Sequence, residues 1–264
     1  MAQHGEVRLD APRRRLRLVV AAVVALGLPG GVAAAAGAQA ASAQVPDTTE
    51  VTTMTTGIHW LGHDAFCIEV EGRVVYVDPY RLQRDQPKAD LILITHDHHD
   101  HCSPEDVARV RGPHTVVVTV AAAASRLPPP VRVVQAGDTL TVGGIGIEAV
   151  AAYNTNKFRS PGRPFHPKDA GYVGFVIAGG GRRIYHAGDT DAIPEMASVK
   201  ADVALLPVSG TYVMTAEEAV EAARIIQPRV AVPMHVGAGI GSLEDATRFK
   251  TLAPMPVVVL EMEP

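Results

Sequence analysis

Cysteine is nearly missing from this chain of 264 residues. Its two cysteines, Cys67 and Cys102, allow one bridge at most and exclude a disulfide scaffold. An excess of positive charge is missing too: Lys and Arg number 24 against 28 Asp and Glu, a net charge of −4. That leaves no electrostatic footprint for nucleic acid. No glycine-rich phosphate cradle is visible. What remains is 47% hydrophobic and 20% charged residues, a globular balance that excludes disordered, collagen-like and coiled-coil chains. The length suffices for a well-buried core. Histidine is the informative residue. Of the eleven, His96, His98, His99 and His101 fall within six positions.

The start of the chain reads as a targeting segment. Residues 1–17 carry Arg8, Arg13, Arg14, Arg15 and Arg17 against Glu6 and Asp10, and an apolar run from Leu18 to Leu28 follows. Pro29-Gly30-Gly31 ends that run, and both Ala38-Gln39-Ala40 and Ala41-Ser42-Ala43 fit the small-x-small cleavage pattern. Residues 1–43 are therefore expected to be a signal peptide, and the protein exported to the periplasm or beyond. The alternative is an uncleaved anchor over residues 18–43, since no charge lies between Leu18 and Pro46. The arginine cluster leaves Sec and twin-arginine export both open. Cleavage would leave 19 basic and 26 acidic residues, a net charge of −7, ill-suited to anionic surfaces. Residues 44–56, rich in Thr, Pro and Asp, read as a flexible leader, and residues 57–264 as the folded domain.

From Gly57 onward short apolar runs alternate with turns. Ile58–Leu61, Phe66–Val70, Val74–Val77, Leu91–Ile94, Val116–Val120, Val131–Val134 and Ile145–Ala149 read as strands, as do Tyr172–Ile177, Arg182–His186, Val203–Leu206, Val230–Val232 and Val257–Leu260. Ser103-Pro104-Glu105-Asp106 is a helix start, with a capping serine, proline at the first helical position and acids in the first turn. Thr215 caps a helix to about Ile226, and another runs from Ser242 to about Lys250. Strands first, then strand–helix alternation, imply an α/β protein of two sheets with helices outside.

Thr95-His96-Asp97-His98-His99-Asp100-His101 follows directly on the apolar run Leu91–Ile94. A strand end feeding a loop holds the backbone while side chains turn inward. Imidazole and carboxylate are ligands that zinc, iron and manganese accept. A merely solvated polar loop has no need of four histidines.

At these residues the sequence resembles the metallo-β-lactamase superfamily, with its His-x-His-x-Asp-His pattern. The resemblance extends along almost the whole chain from Gly57. It implies an αββα sandwich of two mixed sheets, with His96 and His98 on a first metal and Asp100 and His101 on a second. Asp78 matches an early loop-ordering aspartate. Gly188-Asp189-Thr190 matches the aspartate that bridges both metals, and Pro233-Met234-His235 matches the last histidine of the second site. Trp60-Leu61-Gly62-His63 and Tyr185-His186-Ala187-Gly188-Asp189-Thr190 look most like the branch that includes ascorbate-phosphate lactonase and N-acyl phosphatidylethanolamine phospholipase D.

One departure stands out. The pattern calls for a further histidine on the first metal, but Ala152-Tyr153-Asn154 occupies that stretch. His166 is the nearest replacement, with Asn154 or water as the alternative. His63 and His186 read as core or supporting residues, and His99 as facing away from the metals. Cys67 and Cys102 read as buried free thiols. Tyr153, Lys157, Lys168 and Tyr212 lie in loops that could meet an anionic group. The implied function is a metal-dependent hydrolase, using a metal-bound hydroxide on a small-molecule ester, lactone, amide or phosphodiester. Zinc is the first candidate for its two divalent metals, with manganese or iron as alternatives, and Asp97 or Asp100 would orient the nucleophile. A one-iron redox enzyme acting on sulfur substrates, or a metal-binding protein without turnover, are the other readings.

Overall fold

The aliphatic runs, cut by glycine turns, pair into two sheets. The computed structural model describes residues 46–83, 85–237 and 239–263; the expected signal peptide lies outside them. The first sheet holds β1 (Ile58–Gly62), β2 (Ala65–Val70), β3 (Arg73–Val77), β4 (Ala89–Ile94), β5 (Arg111–Thr119) and β6 (Arg132–Val133), side by side in chain order. Its first two joints are antiparallel and the other three parallel. Then come β7 (Thr139–Val142), β8 (Ile145–Ala151) and a small hairpin of β9 (Phe158–Ser160) and β10 (Arg163–Pro164). They are followed by β11 (Val173–Gly179), β12 (Arg182–His186), β13 (Val203–Pro207) and β14 (Val230–Met234). The second sheet runs β14-β13-β12-β11-β8-β7, and β12, β13 and β14 are mutually parallel.

Both sheets feed one aliphatic core. Leu91 to Ile94 are wholly buried, as are all five residues of β13 and of β14. Each such aliphatic side chain stabilises by roughly 1.5–3 kcal/mol relative to exposure. Five α-helices join them among the described residues: α1 (Thr48–Thr55), α2 (Pro104–Val110), α3 (Ala121–Ala124), α4 (Ala216–Ile226) and α5 (Leu243–Leu252). Ser103 caps α2, while Thr215 and Ser242 each form a capping box on α4 and α5. α4 packs on β13 and α5 on β14, and the two helices touch each other. This is the expected sandwich of mixed sheets with helices. No helix among the described residues is long and apolar enough to cross a membrane.

Two expectations need correction. Residues 48–55 are helix rather than flexible leader, despite five threonines. Asp47 caps α1 by accepting from Glu50 N–H, Met54 is buried, and Arg182 donates to the carbonyls of Met54 and Thr56. Val257–Leu260 is not a strand. Val257 makes one bridge with Ala231, and Met262 makes another with Trp60. The tail thus straps the open edges of both sheets, where unpaired backbone groups would otherwise lie bare.

Parallel pairing decides where chemistry collects. β3 and β4 run the same way and end at Asp78 and Thr95, while β12, β13 and β14 end toward Asp189, Ser209 and His235. Carboxyl ends of parallel strands are where ligands bind in α/β sheets.

Candidate metal centre

Strand β4 delivers its loop folded back on itself: the amides of His101 and Cys102 both donate to the His98 carbonyl, at 3.1 and 2.8 Å. His96, His98 and His101 therefore converge, while the His99 side chain is 83% exposed.

Four histidines are held in one way, with Nδ1 on a fixed acceptor and Nε2 turned toward a common centre. Thr95 donates to Asp78 through both N–H (2.8 Å) and Oγ1 (2.6 Å), so its hydroxyl oxygen accepts from His96 Nδ1 at 2.9 Å. Asp78 Oδ2 also accepts from His101 Nδ1 at 2.9 Å. Ser209 Oγ donates to Thr211 O and accepts from His235 Nδ1 at 2.9 Å. Asn154 does the same for His166. Its Nδ2 donates to Asp191 Oδ1 and Tyr212 O, which fixes the amide. Its Oδ1 then accepts from both the backbone N–H and Nδ1 of His166, each at 2.9 Å. A neutral ring so held keeps its lone pair on Nε2, as metal-ligating histidines do.

Those nitrogens meet at Asp189. Its Oδ2 lies 3.2 Å from His166 Nε2, 3.4 Å from His235 Nε2 and 3.9 Å from His96 Nε2; Oδ1 lies 3.4 Å from His101 Nε2. His98 Nδ1 sits 3.2 Å from the Nε2 of both His96 and His166. Two four-residue sets result, each with its ligand atoms within 4.8 Å of one another, His96, His98, His166 and Asp189, and Asp64, His101, Asp189 and His235; His63 also clusters with His101 and His235, and Asp78 with His96 and His101. His101 Nε2, Asp189 Oδ1 and both Asp64 carboxylate oxygens are buried without a hydrogen-bond partner among the described residues. Burying such atoms unpaired is costly, and imidazoles with carboxylates are a donor set for zinc, iron or manganese. The residues fit a metal.

Charge divides the two sets. Burial pulls His96 well below, and His98 below, the ordinary histidine value. Burial acts on His101 in the same direction, but the carboxylates of Asp189, Asp78 and Asp64 outweigh it and push the imidazole up to about 10. His235 is raised as well, Asp189 and Asp64 overcoming its burial. Burial would raise Asp189, yet His101, His235 and His166 hold it well below the carboxylate range. The backbone is strained here: His63, Asp78 and His235 have φ of 53°, 45° and 60°, each at a cost of roughly 1–3 kcal/mol. Gly188 needs its φ of 63° and its bare Cα, since a Cβ would meet Val173 O at 3.1 Å and Thr95 Cβ at 3.2 Å.

A Beta-lactamase superfamily domain matches residues 57–235. The chain belongs to the metallo-β-lactamase superfamily. A UPF0173 metal-dependent hydrolase from Thermoplasma acidophilum is 34% identical, over 74% of this chain and 90% of the relative. A second, from Methanopyrus kandleri, is 31% identical over 73% of this chain and 89% of its own length. Among solved structures, a Parabacteroides distasonis protein is similar at 32% identity and a TM-score of 0.69, covering 78% of this chain and 93% of that one. A metallo hydrolase from Ignicoccus hospitalis is similar at 26% identity and a TM-score of 0.62, covering 78% of this chain and 95% of its own.

In this metallo-β-lactamase fold six of the seven residues read as metal ligands come together: His96, His98, His101, His166, Asp189 and His235. Asp100 stands apart. Its carboxylate is 3.3 Å from His63 Nε2 and 3.6 Å from His99 Nδ1, and it lines a cleft together with His98, His166 and Asp189. Asp97 is engaged elsewhere, accepting from the Tyr172 hydroxyl at 2.6 Å and pairing with Arg126 at 3.1 Å. Lys157 pairs with Glu218, and Lys168 and Tyr153 both donate to Glu195. Tyr212 stays at the cleft beside Arg159 and Phe165. Cys67 and Cys102 are buried free thiols, as expected, and burial pushes each up to about 11. His186 donates from Nε2 to the Asp64 carbonyl and accepts from Gly188 N–H at Nδ1, both supporting contacts. The sequence pattern does not single out Asp64; an acid in a two-residue turn between apolar strands was its one signal.

Proposed function

We propose that this chain is a hydrolase working with two divalent metals, zinc first among the candidates, on a small-molecule ester, lactone, amide or phosphodiester. The observation that carries the reading is Asp189, whose carboxylate faces imidazole nitrogens of both sets: His96 and His166 of the first, His101 and His235 of the second. Cations bound at such a shared carboxylate supply Lewis acidity and a water acidic enough to attack near neutral pH. The protein's own part is orientation. Thr95, Asp78, Ser209 and Asn154 fix four imidazoles, and Asp100 stands at the cleft, able to orient an attacking water.

The cleft also favours a kind of substrate. One lobe of about 370 Å³ is lined by His98, Asp100, Arg159, Phe165 and Tyr212. Its neighbour of about 790 Å³ adds Arg163 and Lys168 against Asp169 alone. Arg159 and Arg163 at this mouth, beside a Lys168 already paired with Glu195, support a substrate carrying an anionic group. The test is hydrolysis of ester, lactone, amide and phosphodiester panels by chelated protein resupplied with zinc, manganese or iron. Bound metal with no turnover on any panel would refute the proposal. Export is proposed from residues 1–43, and N-terminal sequencing after cell fractionation checks it: a cytoplasmic product that keeps those residues contradicts it.

A further inference from the structure

His63 and His99 flank Asp100, at 3.3 and 3.6 Å from its carboxylate, and each lines a different space. His99 and Asp100 border the cleft of the metal centre. His63 borders a second pocket of about 240 Å³, set between the end of β1, the loop after β3 and the C-terminal tail. Its walls are apolar: Leu61, Tyr80, Leu82 and Met262. The two charged residues that line it are engaged, Arg81 over the Tyr80 ring and Glu263 with His59 at 2.8 Å. The tail is fastened as a wall, since Glu263 N–H donates to the Trp60 carbonyl at 2.8 Å. Gly62 leaves room for it, because a Cβ there would stand 3.0 Å from Met262 Sδ.

His63 itself is buried, and its Nδ1 has no hydrogen-bond partner among the described residues. A buried polar atom left unpaired is costly, so the His63 end of the pocket suits a polar group and its walls an apolar one. The rim between pocket and cleft is made of rings. Tyr80 meets His63 and His99 with centroids 6.2 and 6.0 Å apart, and the His99 side chain lies open to solvent. A molecule laid across that rim occupies both spaces. The pocket's volume is that of about eight water molecules in the liquid, room for a short chain or one ring and too little for a long lipid tail. We infer that this pocket is a second substrate subsite, which takes a short alkyl chain or a single ring while the substrate's anionic group meets Arg159 on the far side of Asp100. The inference rests on the two-metal hydrolase reading above and narrows it to substrates that join an apolar group to an anionic one, with the scissile bond between.

The test is a titration of the zinc-loaded full chain with straight-chain carboxylates from acetate to decanoate. Trp60, the single tryptophan, donates its indole N–H to the His63 carbonyl at 2.9 Å, so its fluorescence reports from the pocket. Affinity should rise about two- to fourfold per added CH₂ and level off once the pocket is full. Leu61→Ala and Met262→Ala should each weaken hexanoate about two- to fivefold and leave acetate unchanged. Neither residue is fully buried, Met262 being 60% exposed, so the fold should survive both changes. Equal affinity for acetate and hexanoate, or hexanoate binding untouched by both variants, overturns the inference. A crystal structure with hexanoate gives a second reading: a chain against Leu61 and Met262 supports the subsite, and a chain against Phe165 and Tyr212 overturns it. Alcohols from ethanol to hexanol, titrated into chelated protein, read the pocket without metal. A flat alcohol series overturns the inference whether or not zinc binds, whereas a chain that takes up no zinc removes the two-metal reading itself.

Discussion

Asn154 occupies the stretch where the superfamily pattern calls for a histidine, yet its role is to aim one. Replacing it with alanine removes four hydrogen bonds: two donated to Asp191 and Tyr212, two accepted from the N–H and Nδ1 of His166. All lie at a side chain only 6% exposed, so the groups left behind are not rescued by water. Each buried group left unpaired costs about 1–3 kcal/mol, and partial relaxation should bring the loss to about 2–4 kcal/mol in total. The effect on metal is separable. With its Nδ1 acceptor gone, His166 can protonate on Nε2, the nitrogen that faces His98 and Asp189. Support of that kind is worth 10- to 100-fold in affinity, so zinc at the first position should weaken by about that much. Asn154→Asp sharpens the test. It keeps an acceptor for His166 but sets a second oxygen against Asp191 Oδ1, now 3.2 Å from the amide nitrogen, so it should hold zinc better than alanine while remaining destabilised. The assay is zinc titration against a chelator, alongside thermal unfolding. Wild-type zinc affinity in a folded Asn154→Ala protein would refute the orienting role.

Gly174→Ala should destabilise by about 1–3 kcal/mol, since its Cβ would stand 2.5 Å from the His186 carbonyl and 2.6 Å from that of Ala187. Gly146→Ala, whose nearest neighbour is Ala178 Cβ at 3.5 Å, should be close to neutral; equal melting shifts in the two would refute the steric account. Metal-free protein should lose stability as pH rises, because the fold raises His101 from 6.5 to about 10. The gain from its charge is complete below pH 6.5 and gone above pH 10. Zinc displaces that proton, so melting curves of chelated and zinc-loaded protein should diverge from pH 6.5 upward; parallel curves would contradict this. Arg159→Gln should raise KM about two- to fivefold for anionic substrates and leave neutral ones unchanged; equal effects on both would remove Arg159 as a recognition element.

What the sequence made legible was local. Short apolar runs between turns located most strands, because strands buried on both faces are apolar at nearly every position, and β4 pointed at its own loop. Capping residues placed α2, α4 and α5. Helix α1 was hidden because threonine favours helix weakly; it forms on a cap, one buried methionine and the Arg182 grip. The strap at Val257–Leu260 has strand-like residues, but Pro254 and Pro256 flank it and β14 offers it a single bridge. In the site, the cluster from His96 to His101 stood out by spacing, and the family resemblance supplied His235 and Asp189. Asp64 and Ser209 were not legible, since each acts only because strands distant in sequence end at the same edge. Neither the Asn154–His166 pairing nor the outward setting of Asp100 is a property of spacing; both come from loop geometry.

The central claim is that Asp189 joins two metal positions. Elemental analysis of zinc bound to the wild type and to Asp189→Ala, both dialysed to constant content, tests it most directly. The account requires two equivalents in the wild type, and one or none in the folded variant. Two equivalents in Asp189→Ala, or none in the wild type, would contradict it.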